Sequence, residues 1–257
     1  MDAKAWTATP RRWLVSGLKR YGRPAINGFL AHYSEVGDPL VFDPAAFPWA
    51  ATLEARWREI RAEALQVLAL RDYVPAFQEV SPDQYRISRD DQWKTFWLRG
   101  FGYRSKVCCD FCPLTAGLVD GVPGVETAFF SILAPGKHVI AHRGVFKGIV
   151  NYHLGLVVPR KKENCSMRVG DEFFHWEEGE SRIFDDTNEH EVRNDTDEDR
   201  IVLMLQFRRP LRSPGREVGN LFIETLKRTP YVTTALRNKK HFEARFAAAV
   251  EAGPDQR

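Results

Sequence analysis

His142-Arg143-Gly144, then Asp185-Asp186-Thr187-Asn188-Glu189-His190, then Arg200 are the residues whose types and order could do chemistry. Two imidazoles from separate segments are ligands of the kind that hold a mononuclear non-haem Fe(II), which usually takes two His and one carboxylate and leaves three positions open. Written along a chain, such a centre reads H-x-D/E, a distant His, and an Arg about ten residues later. Position 144, where the carboxylate belongs, is a glycine and can ligate nothing. A lone His on a strand is more often a hydrogen-bonded structural residue, so His142 and His190 acquire meaning from what surrounds them.

The surroundings carry a specific likeness. Ser131-Ile132-Leu133-Ala134-Pro135-Gly136, His142, Tyr152-His153-Leu154-Gly155-Leu156-Val157-Val158-Pro159, Trp176-Glu177-Glu178-Gly179, Ile183-Phe184-Asp185-Asp186 and Glu189-His190-Glu191-Val192 follow in an order and spacing that resembles the aspartyl/asparaginyl β-hydroxylase family, over roughly residues 90–210. The resemblance implies an Fe(II)/2-oxoglutarate-dependent dioxygenase in which His142 and His190 alone hold the iron, with water completing the shell at Gly144. It assigns Arg200 to the far carboxylate of 2-oxoglutarate, Ser131 to a further hydrogen bond and His153 to the wall of the cosubstrate pocket. A guanidinium suits that task because it makes paired charge-assisted bonds to a carboxylate, which a Lys cannot copy. The implied reaction consumes O₂ and 2-oxoglutarate and hydroxylates an unactivated C–H bond.

Other residues read differently. His138 and His142 would need a helix to act as an H-x-x-x-H metal pair, and Pro135-Gly136 oppose one, so His138 is expected to be local structure or pocket lining. Asp185 and Asp186 are expected to cap backbone N–H groups in a turn. An Asp introduced at position 144 is expected to reach the metal.

The elements that must position these groups follow from periodicity. From Lys94 to Arg208 the pattern has period two, broken by Pro-Gly, Gly-Asp, Glu-Gly and Asn-Asp signals, which predicts strands near 94–100, 126–134, 149–158, 165–169, 172–176, 181–184, 190–193 and 200–208. Eight short strands suit a mainly β fold, a double-stranded β-helix of the jelly-roll or cupin-like kind, braced by N- and C-terminal α-helices. Alternation places Asn151, His153, Gly155 and Val157 on one face, and Arg200, Val202, Met204 and Gln206 likewise, as the wall of the barrel cup. Leu53, Trp57, Ile60, Ala64, Leu65 and Leu68 predict an amphipathic helix over 52–70 with Thr52 as N-cap, and Val218, Leu221, Phe222, Thr225 and Leu226 a second apolar helix face. The reading is of a single domain, 1–257, with an extension over 1–90, a catalytic core over 91–210 and C-terminal helices over 211–257.

Composition excludes several classes. A net charge of +3 and no basic patch interleaved with stacking aromatics argue against nucleic acid. There is no run of about eighteen apolar residues and no secretory signal pattern, so a cytoplasmic protein is expected. Cys108, Cys109, Cys112 and Cys165 are too few and too clustered for a disulfide framework, and Cys109-x-x-Cys112 lacks the second pair a structural zinc needs.

The substrate is expected to be an amino-acid side chain, peptidyl or free; the alternative is a fatty-acyl chain of a membrane lipid of the lipid A or ornithine lipid type. Asn151 bears on this choice, because peptide-hydroxylating members resemble this sequence but carry Arg there. Basic, apolar-interleaved segments at Arg11 to Tyr21 and Arg237 to Phe246 suggest peripheral contact with an anionic membrane surface, or ordinary amphipathic helices. Two further readings are a halogenase and a non-catalytic cupin-like binding module. Oligomeric state is left open.

Overall fold

A computed structural model describes residues 22–251. Its helices are α1 (Arg23–His32), α2 (Ala50–Ala55), α3 (Trp57–Ala69), α4 (Phe77–Val80), α5 (Lys106–Phe111), α6 (Pro113–Asp120), α7 (Gly215–Leu226) and α8 (Pro230–Glu251). The strands are β1 (Val41–Phe42), β2 (Trp93–Gly100), β3 (Tyr103–Arg104), β4 (Val125–Leu133), β5 (His138–His142), β6 (Ile149–Val157), β7 (Cys165–Val169), β8 (Glu172–His175), β9 (Ser181–Phe184), β10 (His190–Asn194) and β11 (Arg200–Arg208). They form a seven-stranded sheet in the order β1-β9-β6-β11-β4-β2-β3 and a four-stranded sheet in the order β5-β10-β7-β8, both antiparallel. Two such sheets facing each other make the double-stranded β-helix.

Alternation sorts the side chains of the large sheet. Tyr152, Leu154 and Leu156 of β6 and Ile201, Leu203, Leu205 and Phe207 of β11 pack outward against the helices, with Ile60, Ala64, Phe242 and Phe246. Their opposite faces turn toward the small sheet, where Trp93, Leu133, Met167, Val169, Trp176 and Phe184 form a second core between the sheets. Burying each large apolar side chain contributes about 1.5–3 kcal/mol, so the helical layer is what holds the large sheet in place.

Several elements depart from the sequence expectation, the short strands β1 and β3 among them. The helix expected over 52–70 comes as α2 and α3, separated at Arg56, and it starts from Trp49 with no side-chain cap rather than from Thr52. β5 was not expected, although it carries His142. In α7 the buried stripe is Gly215, Gly219 and Ile223, while Leu221 is 70% exposed, because α7 packs its small residues against α1 and Leu211. In the segment 237–246, Lys239, Phe242 and Phe246 are buried while Arg237, Lys240 and Arg245 are exposed, the pattern of an amphipathic helix. The basic stretch from Arg11 to Tyr21 lies outside the described residues.

Candidate active site

His142 ends β5 and His190 begins β10, and the register pairs them directly. Their ring centroids are 4.1 Å apart. Each ring is fixed from behind by a backbone carbonyl, Ile140 at 2.8 Å for His142 Nδ1 and Asn188 at 3.0 Å for His190 Nδ1. A carbonyl only accepts, so each Nδ1 carries the proton and donates it, leaving Nε2 with a free lone pair. Burial, and then the neighbouring imidazole of His190, brings His142 down to about 4, and burial also lowers His190. Both rings are therefore neutral at pH 7, the state in which imidazole is a metal ligand.

The pair borders a cavity of about 210 Å³ whose wall also includes Ser131, Asn151, His153 and Arg200. The structure thus brings together every residue singled out from sequence as a site residue. Arg200 is 2% exposed, stacks 4.6 Å from the Trp176 ring, and leaves Nε and Nη1 without a hydrogen-bond partner among the described residues. Burial lowers its guanidinium to about 10, still charged at neutral pH. His153 is packed edge-on against Phe184 at 5.0 Å, and neither ring nitrogen has a partner among the described residues. Burial first, and the Arg200 charge second, hold it neutral. Ser131 Oγ accepts from Trp93 Nε1 at 3.0 Å, so its own proton is free to be donated. A buried cation and several polar atoms with unmade hydrogen bonds around one cavity are costly unless a ligand answers them. A dicarboxylate is a ligand of that kind.

The Asp185-Asp186 turn splits its two acids. Asp185, fully buried, takes Arg209 Nη2 at 2.6 Å and Lys147 Nζ at 2.9 Å and caps Thr187 N at 2.9 Å, which is the turn role expected of it. Asp186 instead faces the cavity and stands where a side chain at 144 would go: a Cβ built on Gly144 would lie 2.1 Å from Asp186 Oδ1. The backbones are locked as well, Gly144 N donating to the Asp186 carbonyl at 2.6 Å. Glycine at 144 therefore makes room for the Asp186 carboxylate, and an Asp introduced there would collide with it before reaching a metal. Burial, then the Asp185 charge, pushes Asp186 up to about 7. Among the described residues, no set of three His, Cys, Asp or Glu side chains converges as a metal site.

The sequence profile described as Aspartyl/Asparaginyl beta-hydroxylase matches residues 54–210. The chain belongs to that family. An ornithine lipid ester-linked acyl 2-hydroxylase from Rhizobium tropici is 44% identical over 220 residues, 86% of this chain and 78% of its own length. The aspartyl/asparaginyl beta-hydroxylase of Homo sapiens is 33% identical over 168 residues, 63% of this chain but only 21% of the human protein, so the chain spans about a fifth of that relative. A prolyl-4-hydroxylase from Pseudomonas putida aligns with 18% identity over 60% of this chain and 87% of its own, at a TM-score of 0.39. As a member of the aspartyl/asparaginyl β-hydroxylase family the protein is a hydroxylase of the 2-oxoglutarate-dependent oxygenase type.

The remaining histidines and cysteines lie outside the cavity wall. His138 Nε2 meets Glu191 Oε2 at 2.8 Å, and His175 Nδ1 donates to the Cys165 carbonyl at 3.1 Å. Cys108 and Cys112 are buried in the outer core, and burial pushes the Cys108 thiol up to about 12, so they pack as small apolar groups. Among the described residues no helix is long and apolar enough to cross a membrane. Asp186, expected from sequence to cap a turn as Asp185 does, lines the cavity instead.

Proposed function

We propose that the protein hydroxylates a fatty-acyl chain of a membrane lipid, with His142 and His190 holding Fe(II) and Arg200, Ser131 and His153 holding 2-oxoglutarate. The observation that carries the substrate reading is the apolar wall beside the His pair, built by Phe77, Val80, Trp97, Phe101, Ile149 and Leu236. A hydrocarbon chain is answered by such a wall. The position expected to carry Arg in a peptide hydroxylase is the uncharged Asn151, whose Oδ1 accepts from Gln206 Nε2 at 3.2 Å. The 44% identity to an acyl hydroxylase supports the same choice.

The metal centre, when bound, supplies the activation of O₂ that converts C–H, O₂ and 2-oxoglutarate into C–OH, succinate and CO₂. What the chain contributes is placement. The carbonyls of Ile140 and Asn188 hold the two imidazoles in the tautomer that presents Nε2. Arg200, buried and stacked on Trp176, offers its free N–H groups to a carboxylate. The aromatic wall keeps the acyl chain dry and limits the carbons that can approach.

The test is incubation of the purified protein with Fe(II), 2-oxoglutarate, air and vesicles containing an ornithine lipid, followed by mass spectrometry. A gain of one oxygen on an acyl fragment, dependent on 2-oxoglutarate, is expected. No gain on the lipid, with a gain on an Asp- or Asn-containing peptide, would overturn the substrate assignment.

A further inference from the structure

The cavity that holds the His pair reaches solvent through a rim unlike its interior. Of the residues lining it, the exposed ones are Arg86, Arg143, Val145 and Tyr231. Neighbouring contacts join these four into one ring. Arg86 ends the 3₁₀ turn Pro82–Arg86 and is close enough to His142 for its charge to weigh on that imidazole. Arg143 and Val145 follow His142 in the loop after β5. That loop leans on α7, Phe146 stacking on Phe222 at 3.9 Å, and α7 leads into α8, whose second residue is Tyr231. Tyr231 closes the ring beside Ser81 and Gln84, at the start of the turn that carries Arg86.

The rim combines uncompensated positive charge with apolar surface. Among the described residues Arg86 forms no salt bridge, and Arg143 reaches only Glu189 Oε2, at 3.9 Å, an acid that Arg168 Nη2 also holds at 3.2 Å. Of the two acids whose charges reach Tyr231, Asp83 does not line the cavity and Asp186 lies inside it. Val145 is 52% exposed and Tyr231 41%. An isolated exposed arginine is ordinarily a solvated surface group. Two of them around the mouth of an apolar cavity, with a tyrosine between wet and dry surroundings, match the edge of a bilayer, where guanidinium groups pair with phosphates and amphipathic rings settle at headgroup level. We propose that the rim of Arg86, Arg143, Val145 and Tyr231 docks on an anionic bilayer surface, so that a lipid enters the cavity from the membrane without its acyl chain crossing water. The proposal rests on the lipid reading of this cavity and adds to it the face that meets the membrane.

The experiment uses the full chain and substrate-free vesicles of phosphatidylcholine, with or without phosphatidylglycerol. The four native thiols are buried, so a cysteine introduced by Val145→Cys, or by Phe173→Cys on β8 away from the cavity, takes a polarity-sensitive maleimide dye. With anionic vesicles the dye at 145 should shift to the blue and be quenched by brominated acyl chains, while the dye at 173 should stay in water. An Arg near such a surface strengthens partitioning by about fivefold, so Arg86→Gln/Arg143→Gln should weaken co-sedimentation with anionic vesicles by about 25-fold. Raised salt should weaken wild-type binding in the same direction, as the charges are screened. Equal responses at 145 and 173, or co-sedimentation with no response at 145, would show that another face docks and would overturn the proposal, as would a double variant that binds like the wild type. A blue shift at 145 without vesicles, growing with protein concentration alongside a dimer in sedimentation, would make the rim an interface between two copies and overturn it too. Hydroxylation of an ornithine lipid in vesicles with no response at 145 defeats the docking surface and leaves the lipid reading; a response at 145 with no lipid hydroxylated upholds the surface and defeats the lipid reading.

Discussion

Replacing Arg200 by Met separates function from stability. Arg200 is 2% exposed and its Nε and Nη1 have no partner among the described residues, so its charge is poorly compensated before a ligand binds. Removing one member of a buried carboxylate–guanidinium pair typically costs about 2–5 kcal/mol, because the other charge is left buried and unpaired. Arg200→Met should therefore weaken 2-oxoglutarate binding by about 30-fold to a few thousandfold. Ligand-free stability should move the other way or hardly at all: the stack on Trp176 loses about 0.5–2 kcal/mol, offset by relief of an uncompensated buried charge. Thermal melts across a series of 2-oxoglutarate concentrations, with metal present and oxygen excluded, read both quantities at once, since ligand binding to the folded state raises Tm by mass action. An unchanged 2-oxoglutarate dependence would show that another group holds the cosubstrate. A collapse of ligand-free stability would make Arg200 a structural residue.

Gly144→Ala should destabilise the protein by about 1–3 kcal/mol through overpacking against Asp186, and pairing it with Asp186→Ala should recover most of that loss in denaturant melts. Additive losses would mean the two positions do not share space. Arg209→Met should cost about 3–5 kcal/mol in the same assay, since it strips the buried Asp185 of its 2.6 Å partner; a neutral result would show that Lys147 alone suffices. Asp186, raised to about 7 from an ordinary 3.8, holds a proton in the folded state that the unfolded chain releases, so its stabilising contribution is full below about 4 and is lost as pH rises through 7. Asp186→Asn should therefore gain stability relative to the wild type between about pH 4 and about pH 7. His142, lowered to about 4, works in the opposite sense and is present in both proteins, so the difference isolates Asp186. A constant difference across that range would refute the assignment.

Much of the barrel was legible because period-two alternation is a direct consequence of the pleat. His153 with Asn151, and Arg200 with Met204 and Gln206, reach the cavity as their spacing requires. β5 was illegible for the same reason: as a five-residue edge strand it exposes Ile140 and pairs His138 with Glu191, so its residues show no apolar alternation. The place of Asp186 was out of reach because it depends on a contact between distant segments, the 185–190 turn and Gly144 in the 143–148 loop. The α7 face was misread because Gly215 and Gly219, which carry no hydrophobic signal, are what allow close packing. Gly155 is similar: a Cβ there would lie 2.1 Å from the Glu177 carbonyl oxygen, so the glycine lets the 176–180 turn close onto β6.

The most direct measurement of the reaction centre is an anaerobic titration of the protein with Fe(II) and 2-oxoglutarate, following visible absorbance of the metal–keto-acid complex. The wild type should develop a weak band that His142→Ala and His190→Ala each abolish, because both of the paired imidazoles are needed to hold the ion. A full-strength band in either variant would remove that histidine from the metal site and with it the two-His centre.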